Sequence, residues 1–271
     1  MIFGVDHLAL SCRQLQSAYE SLVGNGVEMQ FMHSGWPNDE AKRPFVREHS
    51  PVHGLCYLRL RQGIAIELTE HSVPIGHQAS PYQVLMEGML PSSQPFCGAH
   101  AASIQIFAEL WNSVFGADAE PLTWTPASAQ YWAVQSIRGP AVKAVALAIP
   151  EDAEVEEFWL KALGCRKRAV GAIKDCEWAH FAFASMVKNW ALDVVLVKSS
   201  LPAPTPYLDD GGFPCLALLT NKLDDDLARM LEHGGSTGGV FTLDVGGASK
   251  RIAILRGPSR ELIELIEIPR K

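Results

Sequence analysis

The sequence predicts an α+β protein: repeated βαβββ units paired into two curved, mostly antiparallel, cup-shaped sheets with helices outside. Three observations carry that prediction. A strand-like opening followed by an amphipathic helix occurs three times. The later strands of each unit alternate apolar and polar with period two. The last strand of the first and third units closes on glutamates, in Gly-Ile-Ala-Ile-Glu-Leu-Thr-Glu (63–70) and Arg-Glu-Leu-Ile-Glu-Leu-Ile-Glu (260–267).

The first unit opens with Gly-Val-Asp-His-Leu-Ala-Leu-Ser (4–11). Its helix shows Leu15, Ala18, Tyr19, Leu22 and Val23, one apolar stripe at helical spacing, with Gly24 and Gly26 as stops. In its strands Leu8, Leu10, Leu58, Leu60, Ile64, Ile66 and Leu68 form a set meant for the helix. The opposite set is chemically varied: His7, Ala9 and Ser11, then Tyr57, Arg59 and Arg61, then Ala65, Glu67, Thr69 and His71. The long stretch 35–51, rich in charge, proline and histidine and flanked by His33, His49 and His53, is expected to be a lid or binding loop, or else disordered.

The middle unit spans 140–199, with Val155, Phe158, Trp159, Ala162 and Leu163 on its helix stripe. The last spans 212–268, with Leu223, Leu227, Met230 and Leu231. Ala144 to Asp193 and Cys215 to Glu264 are the same distance apart in sequence. His7 to Glu67 is longer, by an excess assigned to 35–51. Residues 72–97, with Pro74, Pro81, Pro91 and Pro95, carry a short helix signal at 82–89. A strand is expected at 99–108, a helix stub at 110–115 and a strand at 131–138. Two readings stand for this region: an eroded fourth unit lacking its last strand (98–138), or a plain insertion. The expected halves are 1–138 (unit 1–71 plus the eroded unit) and 140–271.

Composition excludes several function classes. The 271 residues carry a formal charge of −7, with 48% hydrophobic and 20% charged residues. That is a globular composition without the basic stripe that nucleic acid requires. No apolar run reaches membrane-span length. The chain opens straight into a strand-like segment without a basic leader, and its six cysteines show no C-x-x-C spacing, so a cytoplasmic protein with free thiols is expected. P-loop, dinucleotide-binding and nucleophile-elbow motifs are missing.

The opening Gly-Val-Asp-His-Leu-Ala-Leu-Ser with its helix, closed by Gly-Ile-Ala-Ile-Glu-Leu-Thr, resembles the vicinal oxygen chelate superfamily of glyoxalases, bleomycin-resistance proteins and extradiol dioxygenases. The ending Gly-Pro-Ser-Arg-Glu-Leu-Ile-Glu-Leu-Ile-Glu resembles its final strand. The resemblance implies a metal held by a first-strand His and a last-strand Glu. His7 and Glu67 match, and His100 is the candidate third ligand from the eroded unit. In the last unit Cys215 stands in place of the His while Glu264 matches; in the middle unit Ala144 stands in place of the His and Asp193 in place of the Glu. The C-terminal half therefore lacks the histidines of an extradiol dioxygenase, and that activity is not expected. The implied cofactor is one divalent metal (Zn, Ni, Mn or Fe), serving as a Lewis acid on an enolate or diolate.

Two functions follow from the resemblance. One is a metal-dependent lyase or isomerase acting on a small oxygenated metabolite in the N-terminal cup. The other is a metal-free protein that binds or sequesters a small molecule. The expected partner is a small-molecule ligand, without nucleic acid or membrane, and the chain is a monomer or homodimer. Tyr57, Arg59 and Arg61 on the polar face are candidates for substrate contact, the arginines through bidentate bonds to an anionic group. Each has a plainer reading: that face simply meets water, and His7 and Glu67 simply bond each other. Glu264 and Asp193 are read as structural, or as acid–base groups if their cup is dry. Trp178 and His180 are read as filling a cup or lining a flat pocket. If the first unit pairs with the last, Cys215 and Glu264 come beside His7 and Glu67, which makes a different site.

Overall fold

In the computed structural model the described residues are all of 1–271 except 23–25, 72–81, 91–92, 96–100, 125–128, 137–138, 151–153, 184, 186–189, 199–204, 246 and 269–271. The first unit consists of β1 (Ile2–Cys12), α1 (Leu15–Glu20), β2 (Val27–Pro37), β3 (Val52–Leu60) and β4 (Ala65–Glu70), with a 3₁₀ helix, Glu40–Phe45, between β2 and β3. Next come β5 (Tyr82–Glu87), β6 (Ser93–Pro95), α2 (Ala101–Phe115), β7 (Glu120–Trp124) and β8 (Ala129–Val134). The middle unit has β9 (Ala141–Ile149), α3 (Glu154–Glu157, continued by a π turn over Phe158–Ala162), β10 (Arg166–Ile173), β11 (Cys176–Phe183) and β12 (Leu192–Lys198). The last has β13 (Gly212–Thr220), α4 (Leu223–Glu232), β14 (Ser236–Val245), β15 (Ala248–Arg256) and β16 (Leu262–Glu267).

These strands form two eight-stranded mixed sheets, in the orders β14-β15-β16-β13-β1-β4-β3-β2 and β10-β11-β12-β9-β5-β8-β7-β6. Within each unit the first and last strands run parallel, and antiparallel pairs of first strands, β1 with β13 and β5 with β9, join the units. The α+β class and the cupped pairing of units are as the sequence predicts. The second unit, however, places its helix after two strands (β5-β6-α2-β7-β8), and it does not lack its last strand, since β8 pairs parallel with β5 as the other last strands pair with their first. Nor does pairing follow chain order: the first unit joins the last, and the middle unit joins the second. The halves 1–138 and 140–271 are therefore not the sheet-forming units. The two pairings give the sheets different fronts. Ala144 and Ala146 of β9 share one apolar cluster with Leu85 of β5 and Trp132 of β8, while the polar front of β1 meets the strand pair that carries Glu264.

The apolar backs of both sheets share one core. Leu8 and Leu10, Leu216 and Leu218, Val145 and Leu147, and Val194 and Leu196 all belong to it, with the α1 stripe of Leu15 and Ala18 and the α4 residues Leu223, Leu227 and Met230. The first and last units also share a helix start: Glu70, ending β4, accepts from the Leu15 N–H, and Glu267, ending β16, accepts from Leu223 N–H. The closing acids thus serve donors that the first helical turn cannot satisfy itself.

The second unit departs from the sequence reading. Residues 82–87 form strand β5, whereas a helix is expected there, because Tyr82, Val84, Leu85 and Met86 are all buried in the middle of a sheet and the run pairs on both edges. Of the expected strand at 99–108, residues 101–108 are the start of α2, and 99–100 lie outside the described residues. That helix lies on the front of the second sheet, where Phe107, Leu110 and Trp111 pack against Ala144, Ala146, Trp178 and Val195. The second cup is therefore filled.

Candidate functional site

The front of the first sheet holds the site. Asp6 and His7 are neighbours in β1, and in a regular strand their side chains would point to opposite faces. A bulge in the β1–β13 pairing between Val5 and His7 removes that constraint. His7 Nδ1 donates to Asp6 Oδ2 at 2.9 Å, and the Tyr57 hydroxyl donates to the same oxygen at 3.1 Å. The Tyr57 ring meets His7 edge-on at 5.6 Å and stacks on Phe31. The imidazole is 2% exposed.

The other nitrogen, His7 Nε2, has no hydrogen-bond partner. It lies 3.7 Å from Glu67 Oε1 and 3.6 Å from Glu264 Oε2, and one ligand atom from each of the three residues falls within 4.8 Å of the others. Strand register brings the acids there. Glu67 of β4 stands opposite Ala9 of β1, and Glu264 of β16 opposite Ala217 of β13. Burial alone would lower the pKa of His7, but Glu67, Asp6 and Glu264 outweigh it and hold it well above its ordinary value. Burial, aided by the nearby Glu264, raises Glu67.

Glu264 therefore stands where the family pattern carries an acid, and it completes the group that pairing of the first and last units brings together. His100 lies outside the described residues. Asp193 faces Ala144 directly, whereas Glu67 and Glu264 each face the residue two beyond His7 and Cys215. The equal sequence spacing of the last two units is thus not equal register. Val195 occupies the glutamate position of the middle unit, and Asp193 instead bonds His180 Nε2 at 3.0 Å.

A cavity of about 50 Å³ opens beside the triad, lined by Glu67, Glu264, Cys215, Lys42, His53 and His71 among others. Such a volume takes a few waters or a small group of atoms. The segment between β2 and β3 closes over it. Phe45 packs with Ala9, Cys215 and Ile254, Arg47 grips Asp210 through two bonds of 2.6 and 3.2 Å, and Asp209 accepts from the Arg47 and Glu48 N–H groups. Gly238 lets this cover settle, since a side chain there would run into the Ala41 carbonyl oxygen.

Lys42 reaches the cavity from the 3₁₀ helix. Its Nζ lies 3.4 Å from His53 Nε2 and 5.1 Å from the Phe241 ring centre. Burial lowers its pKa against the pull of Glu264 and Glu67. His53 is pushed down to about 2, first by burial and then by Lys42 and His71, so its imidazole is neutral. Sequence reasoning passed over Lys42, which carries no periodic signal, although His71 sits in the polar series of β4. Among the residues expected to contact substrate, Arg59 and Arg61 are exposed and neither they nor Tyr57 line the cavity. Cys215 does line it, but its Sγ is not among the clustered ligand atoms.

Glyoxalase I from Zea mays superposes with a TM-score of 0.59 at 14% identity, over 97% of this chain and 92% of that one. This chain has the vicinal oxygen chelate fold. A putative dioxygenase from Bacillus subtilis subsp. subtilis str. 168 superposes with a TM-score of 0.56 at 12% identity, over 99% and 86%. No protein-family model and no curated protein matches the chain. Among the described residues no helix is long and apolar enough to cross a membrane.

The donor set fits a divalent metal. One imidazole nitrogen and two carboxylate oxygens are a combination that Zn²⁺, Mn²⁺, Ni²⁺ and Fe²⁺ accept. A buried imidazole nitrogen without a hydrogen bond is uncommon unless something else engages it.

Proposed function

We propose that this chain is a glyoxalase-like, divalent-metal-dependent lyase or isomerase that acts on a small oxygenated metabolite in the cup of the first sheet. The observation that carries the proposal is His7 Nε2, buried, unpartnered and facing Glu67 and Glu264. His7, Glu67 and Glu264 would hold the metal, which when bound would act as a Lewis acid on the oxygens of the substrate.

The chain's own residues do the rest. With a metal bound, Asp6 would keep the His7 proton on Nδ1 and so leave the Nε2 lone pair for the ion, as carboxylates behind metal-ligating histidines do. A carboxylate oxygen of Glu264 or Glu67 is placed to take a proton from a carbon beside the substrate carbonyl and to return it to a neighbouring atom. The covering segment, pinned by Phe45 and Arg47, excludes bulk water and limits the substrate to a few heavy atoms unless it lifts.

The test is metal analysis after purification without chelator, with Zn²⁺, Ni²⁺, Mn²⁺ and Fe²⁺ each offered. One equivalent per chain is expected, lost in His7→Ala. Binding no better than background for every metal would end this reading. A second reading, a metal-free binding protein, is favoured by Lys42, which puts a cation in the cavity without any metal. It predicts ligand-dependent thermal stabilisation that survives chelator.

A further inference from the structure

We infer that the cup takes an anionic substrate, one whose carboxylate or similar oxyanion sits on Lys42 and the adjacent His53 while its remaining oxygens face the His7/Glu67/Glu264 group. The inference rests on the metal-bearing cup proposed above, and it names the substrate class.

Lys42 is held in place without a direct ion pair, the Glu264 and Glu67 carboxylates acting on it across the cavity without touching it. Its Nζ touches the His53 ring and lies over the face of Phe241, and it makes no ion pair among the described residues. An ammonium can only donate, so His53 Nε2 is the acceptor and the His53 proton sits on Nδ1. That Nδ1 is buried and has no acceptor, in a residue that is only 5% exposed and lines the cavity. His71, which lines the same cavity, is neutral, its pKa pushed down to about 4 by burial, and donates to the Leu208 backbone, so its unpartnered Nε2 is an acceptor and adds no donor. A buried donor left unmade is costly, and the His53 Nδ1–H beside the ammonium makes a seat for an oxygen acceptor.

Charge decides which acceptor. Glu67 and Glu264 line the same cavity and would repel an anion. A dication on those two carboxylates neutralises them and leaves the Lys42 charge as the unbalanced one. A monoanionic group then completes the site, whereas a neutral ligand of the same shape leaves the ammonium buried and unanswered. The cover segment that carries Lys42 is fixed to the sheet by Phe45 and by Arg47 on Asp210, so the ammonium is already in position before any ligand arrives.

The experiment uses the full chain, Mn²⁺ and two probes of nearly equal shape, glycolate (anionic) and glycolamide (neutral). Mn²⁺ affinity is measured first by calorimetry, in wild type, Lys42→Met and Lys42→Arg. Probe affinity is then measured on the Mn²⁺-loaded proteins. The expected result is glycolate binding weakened roughly 10- to 100-fold in Lys42→Met, as loss of a charge-assisted hydrogen bond implies, and largely kept in Lys42→Arg. Glycolamide should bind weakly and equally to all three, and Mn²⁺ should bind Lys42→Met at least as well as wild type, which also shows that the variant folds. Normal Mn²⁺ binding with glycolate affinity unchanged in Lys42→Met would overturn the anion seat alone. Failure of wild type to bind any of Mn²⁺, Zn²⁺, Ni²⁺ and Fe²⁺ would remove the dication on which the seat depends and overturn both proposals.

Discussion

Cys215 on β13 occupies the place that His7 occupies on β1. Each stands two residues before the alanine that faces a glutamate across a parallel pair, Ala9 opposite Glu67 and Ala217 opposite Glu264, and Ala9 pairs with Cys215 while His7 pairs with Ala217. The two units are therefore related by an approximate twofold axis between β1 and β13. The site built on that axis is asymmetric: imidazole, carboxylate and carboxylate, with a thiol where a second imidazole would complete the symmetry.

That asymmetry assigns different weights to Cys215 and Glu264. The Glu264 carboxylate is in the clustered group and the thiol is outside it. Cys215→Ala should therefore keep Mn²⁺ binding near the wild-type level. Glu264→Gln should weaken it at least ~10-fold, since losing a direct ligand costs no less than disturbing a residue behind one. Calorimetric titration of both variants checks this, and a Cys215→Ala variant that binds no metal would make the thiol a ligand after all.

Asp6 should matter almost as much without touching the ion. It reaches His7 only because of the bulge between Val5 and His7, and it orients the ring through a 2.9 Å bond. Asp6→Asn keeps the size of the side chain but removes the charge; the expected loss is about 10- to 100-fold in metal affinity. An unchanged affinity would mean that the ring is held by packing alone.

Much of this could be read from residues in order. The alternation of Leu8 and Leu10 against His7 and Ala9, and of Ile66 and Leu68 against Glu67, predicts which face is buried, and those faces are as expected. The site's third member was visible only as one consequence of a pairing choice, because side-chain period tells a strand which face to bury but not which distant strand to join. The second unit was obscured for a different reason. Tyr82 to Met86 is buried on both faces of a central strand and so loses the alternation that marks a strand. In α2 the spacing of Phe107, Leu110, Trp111 and Val114 is helical, and it was available as a signal against the strand reading of 99–108. Lys42 had none: a lysine on a short 3₁₀ helix reads as solvated until the cover beneath it is known.

Glu261 gives the protein a pH dependence separate from the site. It is fully buried, and burial pushes its carboxyl up to about 8; its own and Ser259 backbone groups, the Trp159 indole and Arg256 act in the opposite sense, while Tyr82 is the other titratable group close by. A carboxyl whose folded pKa is raised favours the fold while protonated, so its contribution is full below the unfolded value near 4.5 and is lost as pH rises through about 8. Urea denaturation should find Glu261→Gln less sensitive to alkaline pH than wild type, with the variant gaining on the order of a few kcal/mol relative to wild type between pH 5 and pH 9. Parallel pH profiles for the two proteins would contradict the assignment.

The cover over the cavity has one replaceable fastener. Asp209 is nearly buried and accepts from Arg47 N–H at 2.8 Å and Glu48 N–H at 3.0 Å, while Asp210 separately holds the Arg47 side chain. Asp209→Ala leaves two amides without their acceptor and should cost about 1–3 kcal/mol. Because that loss falls on the cover, limited proteolysis should cut faster within 38–51, and this is the readout that separates local loosening from general destabilisation.

The filled second cup supplies the control for all of these. Trp111 is fully buried between α2 and the front of the second sheet, in the cluster that contains Ala144, Ala146 and Trp178. Trp111→Ala removes one of the three tryptophans of that cluster and should destabilise the protein by about 3–5 kcal/mol, through lost burial plus the hole left behind. Metal affinity should not move, since the clustered ligands all belong to the other sheet and the two fronts share no side chains. A cavity opened there would be apolar, with alanines and tryptophan in its walls, and should admit a small hydrophobic molecule without metal. If Mn²⁺ affinity instead fell in step with stability, the two cups would be coupled through the shared core, and the site could not be treated as a property of the first sheet alone.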